Sequence, residues 1–328
     1  MNEINYKASQ IVGKKPVITK LGAIRDSGEQ TPFVFNGELL IAETIDVTHA
    51  ENMLGKPYFR IRNVESGFLY PPFAEGCYFS SAYTENGIVY VFGTTGCGLN
   101  ADWTEGDPRG GSTVRMFWSD DLYKWSCKDI ITLPEWRLWN TSVCKDDTGY
   151  KMAFEVMGKQ EYPARNSVAG VPFTEFFAQS DDLFNWTVLP DEYSYSASRY
   201  VACPALRYDA QEKYYYMVCL EALPAARYAP YIYRSRNLKD WEIGYHNPVI
   251  MYDDDDRKVN PDAHVEFSAE QLYKLKNYIN INNSDLDFCE YKGKTYIFYL
   301  TGNQQTYGFM CEAVYDGGLY DFLRAFFR

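Results

Sequence analysis

Three apolar runs each close on a glutamate: "LLIAE" at Glu43, "KMAFE" at Glu155 and "MVCLE" at Glu221. An acid at the exit of an apolar strand is costly unless it is paired, solvated or used. Other polar groups stand at a fixed offset from hairpin glycines. Eight residues before Gly37 is Glu29; before Gly149 it is Thr141, beside Asn140; before Gly293 it is Asp285. The same offset from Gly87 reaches Phe79, with Glu75 four residues earlier. Carboxylates gathered in one place support acid–base work at an acetal centre. One, with a raised pKa, protonates the leaving oxygen, and the other activates water or attacks carbon. Glu29, Glu155, Glu221 and Asp285 are the candidate catalytic acids, with Glu43 and Glu75 in reserve. The structural alternative is that these acids pair with Arg60, Arg115, Arg165 or Arg199.

Composition narrows the partners. The 328 residues carry a net charge of −12 and no run of Lys or Arg. That excludes nucleic acid and gives no attraction to an anionic membrane. The start, "MNEINYKASQIVGKK", has no apolar core, so the expectation is a soluble, cytoplasmic chain, or a secreted or periplasmic one if a signal peptide has been removed. Eight scattered cysteines without a Cys-x-x-Cys pair read as buried free thiols rather than a zinc site or disulfide framework. The acidic run Asp253–Asp256 reads as a solvated loop, and its spacing is not that of an EF-hand. No phosphate-binding glycine loop and no Gly-x-Ser-x-Gly elbow occurs. Aromatic residues make up 17% of the chain, which suits strands and also the faces of sugar rings.

The elements that position these acids follow from a repeat. "WSDDLYKW" (118–125), "QSDDLFNW" (179–186) and "RSRNLKDW" (234–241) share the pattern Ser-x-(Asp/Asn)-Leu-x-x-Trp. Each follows two β-rich runs joined by a polar or glycine turn. Two further units lack the full motif; in the last, Ala313, Leu319 and Phe322 stand in for it. The units lie at about 21–70, 75–133, 137–190, 199–250 and 281–327. Three or four strands per unit predict an all-β fold, a single-domain five-bladed β-propeller. The motif is then structural, its Ser and Asp closing a turn and its Leu and Trp packing between blades. Residues 251–280 form an insertion between blades four and five, with a short helix opened by a Ser268/Gln271 capping box; it is a candidate lid.

On these motifs the chain resembles the five-bladed propeller glycosidases of families 43, 32 and 117, and the family 130 mannoside phosphorylases. The repeat differs from the sialidase Asp box, Ser-x-Asp-x-Gly-x-x-Trp. The resemblance implies a substrate over the central axis, with carboxylates supplied by the inner strands. It implies an exo-acting glycoside hydrolase with an oligosaccharide substrate and no required cofactor. The alternatives are a glycoside phosphorylase and a non-catalytic carbohydrate-binding propeller. Expected substrate contacts are Asn140, Thr141, Trp139, Arg199, Asn303, Glu75, Arg60 and His264, with Trp103 and Trp136 as further platforms. His264 enters because family 117 uses a late histidine as its acid. Family 43 sets three acids on inner strands, whereas Asn140 and Cys203-Pro204 hold two of the corresponding places here. Calcium in the channel is compatible with the acids but not demanded by them, and a homo-oligomer is left open.

Overall fold

The computed structural model describes residues 13–26, 28–49, 51–95, 111–158, 173–196, 200–224, 227–303 and 308–328. After β1 (Ile18–Asp26) comes an antiparallel meander of β2 (Gln30–Phe35), β3 (Glu38–Ile45) and β4 (Tyr58–Asn63). A second follows: β5 (Cys77–Glu85), β6 (Ile88–Thr95), β7 (Thr113–Ser119) and β8 (Ser126–Thr132). The third is β9 (Trp136–Asp146), β10 (Gly149–Gly158), β11 (Thr174–Ser180) and β12 (Thr187–Val188). The fourth is β13 (Val201–Asp209), β14 (Tyr214–Leu223), β15 (Arg227–Ser235) and β16 (Trp241–Ile243). The last runs through β17 (Asn282–Tyr291), β18 (Lys294–Gly302) and β19 (Gly308–Tyr315). Tight turns follow the glycine signals: Asn36–Gly37 and Asn86–Gly87 all take positive φ, as a type I′ hairpin turn requires.

Residues 21–26, expected in the first unit, belong elsewhere. β1 pairs antiparallel with β19, from Ile18↔Tyr315 to Asp26↔Phe309, and completes the last meander. The third copy-like segment of that meander is corrected as well. Leu319–Ala325 is a helix, and Phe322 is buried against Phe288 and Phe326 instead of leading a strand. With β1 already on the outer edge of β19, no place remains there for a strand from this segment.

The repeated motif is a turn with its own hydrogen-bond set. Ser119 Oγ accepts from the amides of Asp121 and Leu122, and Asp121 Oδ1 accepts from those of Tyr123 and Lys124. Ser180/Asp182 and Ser235/Asn237 repeat the pattern. Leu122, Leu183 and Leu238 sit at φ 64°, 69° and 60°, a cost offset by burial of the side chain and by an indole N–H donated to each leucine carbonyl. Each tryptophan then packs on the preceding unit; Trp125 stacks on Phe73 at 3.9 Å, and Trp241 lies over Phe177.

The first strands pack side by side in turn: β2 on β5, β5 on β9, β9 on β13, β13 on β17, and β17 back on β2. The insertion does not cover this ring. It lies along β1, where Ala23 N–H donates to Lys258 O (2.7 Å) and Asn260 N–H to Ala23 O (2.9 Å). Gly22, at φ +113°, permits the approach, since a Cβ there would come within 2.6 Å of Lys258 O. Lys20 and Tyr299 tie down Asp256, so one member of the acidic run is buried rather than solvated. The helix Ala269–Asn277 carries the expected Ser268/Gln271 capping box. Among the described residues no helix is long and apolar enough to cross a membrane.

Candidate active site

Among the described residues the first strands β2, β5, β9, β13 and β17 contribute to one pocket. Glu29, Gln30 and Thr31 reach it from the start of β2, Ser80 from β5, Asn140 and Thr141 from β9, Cys203 and Pro204 from β13, and Asp285 to Asp287 from β17. The local cause is a repeated β-bulge. Phe79–Ser80, Trp139–Asn140, Cys203–Pro204 and Asp285–Leu286 are each inserted opposite a single residue of the neighbouring strand. Phe79, Cys203 and Asp285 take φ of 61°, 53° and 49°, left-handed values that non-glycine residues adopt at a cost. The bulges interrupt the alternation of the strands and turn these residues toward the axis.

Neighbouring bulges are bonded to one another. Asn140 Nδ2 donates to Glu155 Oε2 (3.1 Å) and lies 3.4 Å from Cys203 Sγ. The Cys203 thiol donates to Asp285 Oδ1 (2.8 Å), and Ser284 donates to Asp285 Oδ2 (2.6 Å). Deeper along the strands Ser81 and Thr141 share a hydrogen bond, and Arg207 binds Asp287 at 2.6 Å. Glu155 is buried behind the pocket wall rather than in it. Burial pushes its pKa up to about 7, against the bonds from Cys203 and Asn140, and the charge of Asp285 adds to the rise. Burial and the same carboxylates, Asp285 foremost, hold the Cys203 thiol well above its ordinary value, so it stays protonated.

Glu29, Asn140, Thr141 and Asp285 are thus brought together as expected from their offsets to the hairpin glycines. Trp139 is nearly buried within an arc of aromatic rings rather than exposed as a platform. The arc runs Phe79, Trp139, Phe173, Tyr200, Tyr228, with successive centroids 6.5, 5.0, 5.4 and 5.7 Å apart. Trp136 is core, packed on Phe176.

Other expected site residues stand elsewhere. Glu221, at the end of β14, accepts from the Tyr233 hydroxyl and does not line the pocket. Arg60 spends its donors on Glu43 and Glu51. Glu75 is exposed in a surface pair with Lys56. Asn303 is half-buried and outside the pocket lining. His264 lies away from the axial pocket; its Nε2 meets Glu65 O at 2.8 Å, and it lines a separate small cleft with Arg62 and Glu312. Arg199, Arg165 and Trp103 lie outside the described residues. Among the described residues no group of three or more His, Cys, Asp or Glu is arranged to hold a metal ion.

Three residues were missed. Gln30 is 3% exposed, lines the pocket, and its amide has no hydrogen-bond partner among the described residues. Tyr200 lies close enough to Glu155 and Asp285 for their charges to raise its pKa beyond the effect of burial. Glu175, a lone acid in the strand "TEFFAQS", sits directly opposite Glu155, fully buried, with neither oxygen partnered among the described residues. Burial, then the charge of Glu155, raises its pKa well above the ordinary value.

No family model and no curated protein matches the chain. Solved structures do match it in fold. A GH32 beta-fructofuranosidase from Bombyx mori aligns with a TM-score of 0.55 at 10% identity, over 93% of this chain and 64% of that one. An endo-arabinase from Bacteroides thetaiotaomicron VPI-5482 gives 0.54 at 12% identity, over 93% and 100%. A GH43 protein from Bacillus licheniformis gives 0.52 at 12% identity, over 88% of this chain and 52% of that one. The chain has the fold of these glycosidases.

Proposed function

We propose that the chain is a five-bladed β-propeller glycoside hydrolase, exo-acting on oligosaccharides, with Glu29 and Asp285 as its acid pair. The observation that carries this reading is the convergence of both carboxylates, from β2 and β17, in the axial pocket. The fold shared with family 43 and 32 enzymes supports it. The pocket has about 30 Å³ of room for water, enough for a hydroxyl group and a few waters. On this reading a sugar ring lies over the mouth, with one hydroxyl directed inward to Gln30 and Asn140. Among the described residues no Lys or Arg lines the pocket; Arg165 and Arg199, the candidates for a phosphate subsite, lie outside them, so the phosphorylase stays as the alternative.

The non-catalytic carbohydrate-binding reading has one observation in its favour: Asn140 and Cys203 hold inner-strand places where family 43 has acids. Hydrolysis of a panel of aryl glycosides and plant or algal oligosaccharides, with and without phosphate, separates these readings. Loss of turnover in Glu29→Gln or Asp285→Asn supports the hydrolase. Turnover only with phosphate supports the phosphorylase, and sugar binding without turnover supports the binding module.

A further inference from the structure

Behind the pocket wall stands a second layer of polar groups that a simple pair of acids does not require. Glu155 Oε2 accepts from the Cys203 amide (2.9 Å) and from Asn140 Nδ2 (3.1 Å), so one carboxyl spans the bulges of β9 and β13. Asn140 Nδ2 also reaches Cys203 Sγ, leaving the thiol proton directed at Asp285 Oδ1. Glu175 faces Glu155 across the ladder from β11.

We propose that Cys203 is the positioning residue for Asp285, its thiol held by Asn140 and Glu155 and aimed at the carboxylate, with the Glu155–Glu175 pair setting the charge behind it. The assignment of a catalytic role to Asp285 rests on the function proposed above; the geometry of the thiol does not. A thiol donates only while protonated. Around Cys203 stand Asp285 on β17, Glu155 on β10, Glu29 ahead of β2 and Tyr200 ahead of β13, with Glu175 behind Glu155 and Tyr228 of β15 beside Tyr200. Every one of these groups is acidic, so the site favours S–H over thiolate. The backbone has taken a left-handed value to put the thiol there, at a position where a serine hydroxyl would also reach the carboxylate.

The test is the alkylation rate of each cysteine with iodoacetamide, read by mass spectrometry across neutral and alkaline pH on the full chain. The thiolate displaces iodide, an S–C bond forms, and the thiol proton goes to solvent. Exposed Cys127 is the internal reference, and buried Cys144 and Cys219 report any unfolding. Asp285→Asn removes the carboxylate facing the thiol and is expected to speed Cys203 labelling about tenfold near pH 8, one pKa unit of thiolate. Glu155→Gln is expected to speed it less, and it decides the matter if Asp285→Asn labels at Cys144 and Cys219. Cys203 labelling unchanged relative to Cys127 in the folded variants overturns the proposal. Where the wild type turns over a sugar, Cys203→Ala lowers kcat about tenfold with little change in KM. Cys203→Ser, which keeps a donor in place, recovers it; equal kcat in all three proteins also overturns the proposal. A wild type without turnover removes the hydrolase reading and leaves the labelling result standing on its own.

Discussion

Glu43 near the end of β3 and Glu155 near the end of β10 close the same kind of apolar run, and both are buried. Their surroundings are opposite. Across from Glu43 on β4 is Arg60, and Arg25 and Arg62 complete a cage with N–O distances of 2.9, 2.5 and 2.9 Å from Arg25, Arg60 and Arg62. Burial pushes the Glu43 pKa up, but Arg25, Arg62 and Arg60 together pull it well below the usual carboxylate range. Across from Glu155 on β11 is Glu175, and its pKa rises to about 7. The cross-strand neighbour decides whether a buried glutamate is a structural anion or a titrating acid.

The largest effect is expected on the Glu43 side. Glu43→Gln leaves three buried guanidinium groups short of their counter-charge and is expected to cost about 3–5 kcal/mol, measured by urea unfolding. An unchanged midpoint would show that the arginines find other acceptors. Next comes pH. A carboxyl at about 7 when folded and near 4.5 when unfolded contributes stability that is full below 4.5 and lost as pH rises through 7. For Glu155 that loss is on the order of 3 kcal/mol, and Glu155→Gln is expected to flatten it. Glu43 has the opposite sign: its depressed pKa gives stability that is present above about 4.5 and lost toward acid. Thermal unfolding from about pH 2 to 8 in both variants separates the two slopes, Glu43 below about 4.5 and Glu155 between about 4.5 and 7.

A smaller effect tests the coupling itself. Glu175→Gln removes the neighbouring acid and is expected to lower the pH at which Glu155 titrates, with stability changed by only about 1 kcal/mol, since a protonated carboxyl and an amide are similar in shape. The smallest effect is on the pocket. Gln30→Ala is expected to weaken sugar binding about tenfold, seen by calorimetry, with little change in unfolding.

The sequence carried the local features well. The Ser-x-Asp-Leu-x-x-Trp turns are legible because every hydrogen bond in them spans two or three residues. The hairpin glycines provided a ruler that found Glu29, Thr141 and Asp285, because the first strands run similar lengths from the pocket to the turn. What depends on a neighbouring strand was not legible. Arg60 looked like a ligand contact, and its partner lies on the adjacent strand. Glu175 has no signal within its own short strand, and only its register with Glu155 gives it meaning. Cys203 was noted as a departure from the acids of family 43, and its bond to Asp285 across two units has no signal in the sequence.

The pairing of β1 with β19 has a consequence for the birth of the molecule. β1 emerges from the ribosome first among the described strands and β19 last, so β1 waits unpaired while nearly everything between them is made. Long-range pairing of this kind slows folding, because a large loop must close before the contact rewards it. The last unit is then the final one to form, and until it does β19 has an open edge. A circular permutant that joins the two ends of the chain and opens it elsewhere brings β1 close after β19 in sequence, with the helix Leu319–Ala325 kept in the connection. It is expected to refold faster than the natural order, with fewer aggregates at the same concentration.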